Sequence, residues 1–261
     1  MSDIDAAVRR LRQAAESGVP TEPIHDLLAT LDEAYAVQAS LIAERESAAN
    51  PLVGHKVGLT SVAVQTQLGV SQPDFGVLLA DMQVTDGVID MARLIQPKVE
   101  AEIAFILGSD VDALDRASVL AAVESVAPAL EIVDSRIADW RIGLFDTVAD
   151  NASSGLYVLG DERFSPEDVD LVAAEMTMTC DGRAISTGRG ADCLGDPVNA
   201  LVWVAEVAAS QGRPLRAGEV VLSGALGPMV ALEPGTVVRA TIGGVGSVTA
   251  TVGTATGGKQ K

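Results

Sequence analysis

Residues 97–107 read Pro97-Lys98-Val99-Glu100-Ala101-Glu102-Ile103-Ala104-Phe105-Ile106-Leu107. A strand places residues i and i+2 on one side. Val99, Ala101, Ile103, Phe105 and Leu107 then share an apolar face. Lys98, Glu100 and Glu102 open the other face, which turns apolar at Ala104 and Ile106. Two carboxylates that close repel unless a cation or a proton lies between them. Glu131 has a similar setting, inside Pro128-Ala129-Leu130-Glu131-Ile132-Val133, where an ionised side chain needs a partner. Three carboxylates without His or Cys describe a site for a hard cation. Mg2+ or Mn2+ takes oxygen ligands in octahedral geometry and keeps positions for substrate and water. Plainer roles also fit: a solvated strand edge for Glu100 and Glu102, and a salt bridge for Glu131.

Scarcity narrows the chemistry further. The chain has two histidines, His25 and His55, so a histidine cluster is excluded by count. Neither has a nucleophile-elbow sequence to serve. Of the lysines, Lys259 and Lys261 fall in a Gly-rich tail, which leaves Lys56 and Lys98 for the folded body. Cys180 and Cys193 lie in no metal-ligand spacing, which argues against a disulfide framework or a thiolate zinc site.

These side chains need a body to hold them. The chain has 261 residues, 36 Asp plus Glu against 18 Lys plus Arg, and a net charge of −18. That balance is wrong for gripping a phosphate backbone or an anionic membrane surface. With 48% hydrophobic residues and 21% charged, the chain is expected to fold around a sizeable core. No apolar run is long enough for a membrane span, and the first residues lack a secretion signal, so the expected location is the cytoplasm.

The spacing predicts an amphipathic helix over 3–17, ended by Gly18 and Pro20, and a second over 22–46. Together they form a helical N-terminal arm, residues 1–51. A β-rich α+β body follows over 52–253, with a flexible tail over 254–261. Strands are expected at 84–89, 98–107, 129–133, 156–159, 174–180, 220–223, 229–232, 237–242 and 247–252. Asp181-Gly182 and Gly243-Gly244 supply hairpin turns. Helices are expected at 116–126 and 197–210, the latter capped by Asp196 with Pro197 in its first turn.

Several motifs in order carry a resemblance. They are Gly54-His-Lys56-Val-Gly58-Leu-Thr60-Ser61, Pro73-Asp74-Phe-Gly76, Glu100-Ala-Glu102, Leu130-Glu131-Ile-Val-Asp-Ser-Arg136-Ile-Ala-Asp139-Trp140, Asp146-Thr-Val-Ala-Asp150-Asn151-Ala-Ser153, Gly188-Arg189-Gly190, Cys193-Leu-Gly195 and Ser223-Gly224-Ala-Leu-Gly227-Pro228-Met229. Residues 50–252 resemble the 2-hydroxypenta-2,4-dienoate hydratases (2-keto-4-pentenoate hydratases) of the fumarylacetoacetate hydrolase superfamily.

The resemblance implies a mixed sheet or barrel-like roll behind the helical arm. It implies one Mg2+ or Mn2+ held by Glu100, Glu102 and Glu131, with Lys56 and Asp74 as the acid and base candidates in the same pocket. The Ser223-Gly224 turn borders the substrate, and Lys98, on the ligand face of its strand, sits at the rim. His55 stands where relatives carry Tyr; it precedes Lys56, points to the opposite face and is read as structural. Asp150-Asn151 is expected to position backbone beside the site, and Arg189 to hold a loop.

The implied reaction is hydration of a 2-hydroxy-2,4-dienoate, pentadienoate or hexadienoate, to a 4-hydroxy-2-oxo acid in meta-cleavage catabolism of aromatic or steroid compounds. The implied assembly is a homo-oligomer, with association with the downstream aldolase. The alternatives are a 4-oxalocrotonate (2-oxo-3-hexenedioate) decarboxylase and, in a different class, a non-catalytic partner subunit of a decarboxylase or aldolase.

Overall fold

The computed structural model describes residues 3–61, 65 and 72–254; most of the expected tail, residues 255–261, lies outside the described residues. Helix α1 (Asp3–Ser17) forms where the spacing places it and buries Ala7, Val8, Leu11 and Ala14. Helix α2 is shorter than the spacing implies. It covers Leu31–Arg45, and only a 3-10 turn, His25–Leu27, stands between Glu22 and its start. The cause is local. Thr30 Oγ1 accepts from the Glu33 amide and Glu33 accepts from the Thr30 amide, a capping box that fixes the helix start. The arm shares a core with residues 137–149, where Leu11, Ile24, Ala34 and Val37 pack with Ile137, Val148 and Ala149.

The larger sheet has the order β2 (Asp74–Leu79), β1 (Leu52–Gly58), β9 (Val220–Leu222), β4 (Lys98–Leu107), β5 (Val123–Val133) and β6 (Ser154–Leu159), with β10 (Val230–Ala231) also beside β4. It is antiparallel except where β1 runs parallel to β9. The smaller sheet has the order β3 (Val88–Ile89), β12 (Gly246–Val252), β11 (Val237–Ile242), β7 (Glu175–Cys180) and β8 (Arg183–Arg189). Its strands β11 and β12 pack on β5. Leu130, Ile132, Ile103 and Phe105 are wholly buried in this core. Each contributes about 1.5–3 kcal/mol on burial, which offsets part of the cost of holding carboxylates away from water.

Two further expectations need correction, and one strand lies where none was expected. The helix expected at 116–126 stops early: α3 covers Arg116–Ala121, because Val123 and Val126 pair with Leu107 and Phe105 and extend β5. Of 84–89 only Val88–Ile89 is strand; the Val84 amide bonds the Tyr157 carbonyl instead. Arg183–Arg189, for which no strand was expected, closes the smaller sheet as its edge. After α4 (Leu144–Ala149), α5 (Pro197–Ser210) starts at Asp196, whose side chain accepts from the Val198 amide at 2.9 Å. Gly212 follows it with φ 73°.

Candidate active site

Strand register brings the expected residues together. Glu100 pairs with Glu131 across β4 and β5, and Glu102 pairs with Ala129, so the three carboxylates project from one face. Across β1 and β2, Lys56 pairs with Gly76 and Gly58 with Asp74, which puts Lys56 and Asp74 on a common face too. The two halves meet. Lys56 Nζ lies 3.3 Å from Glu131 Oε1 as an ion pair and donates to the Ala152 carbonyl at 2.9 Å. Lys56, Asp74, Glu102 and Glu131 are buried, and Glu100 is partly exposed at the open side of the cluster.

Burial raises the carboxyls of Glu100, Glu102 and Glu131. The charge of Glu131 adds to the rise at Glu100 and Glu102, and Lys56 opposes it at all three. Burial alone would lower the Lys56 ammonium, but Glu131, Asp74, Glu100 and Glu102 outweigh it and hold the lysine above its ordinary value. The lysine is therefore held as a cation. Asp74 is raised by burial against the pull of Lys56 and of Thr147, whose Oγ1 donates to Asp74 Oδ2 at 2.8 Å.

The trio fits a divalent cation. One oxygen from each of Glu100, Glu102 and Glu131 lies within 4.8 Å of the others. Glu102 Oε1 and Glu131 Oε2 accept no hydrogen bond although they are buried, and Glu131 Oε1 has only the Lys56 ammonium at 3.3 Å. Buried acceptors without donors are costly and rare. A hard cation with oxygen ligands is the partner that satisfies all three.

Two glycines are required by close approach. A Cβ on Gly58 would collide with Asp74 Oδ1 and lie 3.3 Å from Lys56 Nζ, so the two functional groups flank the space a side chain would fill. Gly224 has φ 99°, and its amide donates to Glu102 Oε2 at 2.8 Å. Ser223 is wholly buried, with its hydroxyl bonded to the Gly224 carbonyl and the Ile103 amide. The turn thus meets the cluster through the Gly224 amide. Lys98 Nζ lies 4.2 Å from the Trp140 ring centroid, a cation–π contact at the rim. His55 faces away, stacked on Phe75 at 4.9 Å, and burial pushes it down to about 3, so it stays neutral. Arg189 holds a loop through its main chain, donating to the Leu226 carbonyl and to Asp192.

The expected positioning role of Asp150-Asn151 extends to Ala152 and Ser153, which had no assigned role. Asn151, Ala152 and Ser153 carry φ of 55°, 51° and 53° in succession. Non-glycine residues in that region cost roughly 1–2 kcal/mol each, so surrounding bonds must impose the turn. The Asn151 side chain does so by bonding both the amide and carbonyl of Val77 at 2.8 and 2.9 Å. Arg136 adds bonds to the Asp150 carboxylate and carbonyl. The turn aims the Ala152 carbonyl at Lys56 and leaves the buried Ser153 and Ser154 hydroxyls without partners. Only the Asp146–Ser153 motif signalled this segment.

The fold and site define a class: enzymes that gather carboxylates, a lysine and an aspartate on one face of a mixed half-barrel sheet. The chain belongs to the fumarylacetoacetate hydrolase family, its residues 55–253 matching the family described as Fumarylacetoacetate (FAA) hydrolase C-terminal. It is 53% identical over 249 residues to a 2-keto-4-pentenoate hydratase of Paraburkholderia xenovorans (strain LB400), covering 94% of this chain and 93% of that one. It is 41% identical over 257 residues to a 2-hydroxyhexa-2,4-dienoate hydratase of Comamonas testosteroni, covering 95% and 97%. Among solved structures it resembles 4-oxalocrotonate decarboxylase from Pseudomonas putida G7, complexed with magnesium and adipate. There the TM-score is 0.89 and the identity 31%, over 95% of this chain and 97% of that one.

Proposed function

We propose that this chain is a hydratase that adds water to a 2-hydroxy-2,4-dienoate, pentadienoate or hexadienoate, to give a 4-hydroxy-2-oxo acid in meta-cleavage catabolism of aromatic or steroid compounds. The observation that carries the site assignment is the juxtaposition of Asp74 Oδ1 and Lys56 Nζ across Gly58, with Lys56 in turn against Glu131. Glu100, Glu102 and Glu131 would hold one Mg2+ or Mn2+. When bound, that cation supplies Lewis-acid stabilisation of negative charge at the substrate's C1 carboxylate and C2 oxygen.

The protein's own groups handle the protons. The dienol gives up its C2 hydroxyl proton and gains one at C5, which leaves a 2-oxo-3-enoate. Water then adds across C3 and C4, hydroxide to C4 and a proton to C3. The net change is one water. Asp74, whose Oδ1 has no hydrogen-bond donor, accepts a proton from the dienol or from the attacking water. The Lys56 ammonium, held charged by its carboxylate neighbours, returns protons to carbon and faces the developing negative charge.

A second reading is decarboxylation of 2-oxo-3-hexenedioate, on the likeness to the decarboxylase. It ranks second because the chain is 53% identical to a 2-keto-4-pentenoate hydratase and 31% identical to the decarboxylase. A non-catalytic subunit would have no reason to keep donorless buried carboxylates. We further propose a homo-oligomer in the cytoplasm, associated with the downstream aldolase.

The test is loss of dienoate ultraviolet absorbance with pentadienoate and hexadienoate side by side, with Mg2+, Mn2+ or a chelator. Expected is ion-dependent loss abolished by the chelator. CO2 release from 2-oxo-3-hexenedioate at a higher kcat/KM would replace this reading with the second.

A further inference from the structure

The arm reaches the site. Gln38 lies on the buried stripe of α2 with Ala34 and Ile42 and is 4% exposed. Its Nε2 donates to two carbonyls at once, Phe75 at 2.8 Å and Val148 at 2.9 Å. Phe75 follows Asp74 and Val148 follows Thr147, and Thr147 is the residue whose hydroxyl holds Asp74 Oδ2. One amide therefore spans the same two segments that the Thr147–Asp74 bond joins, one residue further on. Strand β2 is the edge of the larger sheet, and here side-chain amides take the place of a neighbouring strand, Gln38 at Phe75 and Asn151 at Val77. Tyr35, one turn before Gln38, packs its ring 6.4 Å from Phe75, and burial with the nearby Asp74 charge raises its hydroxyl.

We propose that Gln38 is a positioning residue for Asp74, acting through the spacing between β2 and α4 that sets the Thr147–Asp74 bond. The inference deepens the proposed function and rests on its reading of Asp74 as a proton acceptor. The arm is then part of the catalytic apparatus. Without the Gln38 amide the two carbonyls lose their shared donor, α4 shifts against β2, and Asp74 Oδ1 moves away from the proton it must accept. Displacements of about 1 Å are enough to cost on the order of 100-fold in rate.

The experiment compares Gln38→Met, Thr147→Val, Thr147→Ser, the Gln38→Met/Thr147→Val double variant and Asp74→Asn in the full chain. The readouts are kcat, KM, Mn2+ affinity by titration, and Tm. Expected for Gln38→Met is a fall in kcat of at least ~10-fold, with KM and Mn2+ affinity changed less than about threefold. Thr147→Ser, which keeps the hydroxyl donor, retains most activity while Thr147→Val does not. The double variant falls no more than about twofold below the worse single one, as expected for residues acting through one bond. A Gln38→Met protein with lowered Tm and unchanged kcat overturns the proposal, and so do losses that multiply in the double variant. Where Gln38→Met does not fold, Gln38→Glu keeps the volume, replaces the donor by an acceptor, and is judged by the same kcat and KM criteria. Activity retained in Asp74→Asn overturns the underlying reading as well. Loss of activity there, with intact Gln38 and Thr147 variants, overturns the positioning role alone.

Discussion

Lys56 Nζ stands 3.3 Å from Glu131 Oε1, joining β1 to β5 on the face where the other carboxylates collect. Both groups are buried, so the pair cannot be relaxed by water. The lysine is the counter-ion of the trio and, in the proposed reaction, the proton donor. Lys56→Met is expected to lower kcat by about 10²–10⁴-fold, the range for losing one positioned acid or base. It should also lower Tm more in chelator than in excess Mg2+, because a bound cation supplies the missing positive charge. Absorbance kinetics and thermal scans in parallel check both. Full kcat in Lys56→Met would remove the lysine from the mechanism.

Glu102→Gln and Glu131→Gln should weaken Mn2+ binding by at least ~10-fold, measured by calorimetric titration. In chelator Glu102→Gln should melt at or above the wild-type temperature, since it relieves repulsion from Glu131 and Glu100, whereas Glu131→Gln also breaks the buried pair with Lys56 and should melt lower than Glu102→Gln. The raised carboxyls also set the pH dependence. Protons and the cation compete for the same oxygens, so affinity climbs as pH rises through the raised values, about 7 at Glu100. Affinity that is flat from pH 5.5 to 8 would contradict the ligand assignment.

Gly58→Ala tests the flanking geometry without touching a charge. The added methyl would collide with Asp74 Oδ1 and press on Lys56 Nζ. The expected outcome is a kcat loss of roughly 100-fold or more with Mn2+ affinity nearly unchanged, because the collision lies on the β1–β2 side. Unaltered kcat would mean that Asp74 and Lys56 need not hold these positions.

How much of this was legible depended on whether the cause was local. Glu100, Glu102 and Glu131 stood out because a two-residue repeat and apolar neighbours are local facts, and the strand 98–107 has the bounds its alternation implies. Asp196 and Pro197 gave α5 its start for the same reason. The start of α2 was misread because apolar spacing alone runs back past Thr30, where the capping box decides. Residues 123–126 have helical spacing, yet pairing with β4 claims them. Thr147, the Ala152 carbonyl and Gln38 act across 73, 96 and 37 positions of chain, so the motif that contains Thr147 and Ala152 could mark the segment but not their contacts. Gln38 left one trace, a polar side chain in the otherwise apolar stripe of α2.

A pH-sensitive contact joins the arm to the segment that holds Asp74. The buried Asp146 carboxylate accepts from the Ile24 amide at 2.6 Å, the His25 amide at 3.0 Å and the Gly143 amide at 2.9 Å, and pairs with His25 Nδ1 at 2.7 Å. The hydrogen bond to Asp146 raises the His25 pKa, the Asp146 charge adds to it, burial opposes, and Asp26 assists from 3.7 Å. A raised folded-state value means the stabilisation is complete below the ordinary 6.5 and is lost as pH climbs through the raised value. The imidazole is 48% exposed, so screening keeps the effect below about 1 kcal/mol. His25→Gln keeps a donor toward Asp146 but cannot titrate. The Tm difference between wild type and His25→Gln should therefore shrink between pH 6 and 9, and amide protection in residues 24–28, relative to the intrinsic exchange rate at each pH, should fall over the same range in wild type alone. Because Thr147 follows Asp146 directly, kcat should decline together with that protection. A pH-independent Tm difference would mean that the backbone amides alone hold Asp146 and that the histidine contributes no charge to the contact.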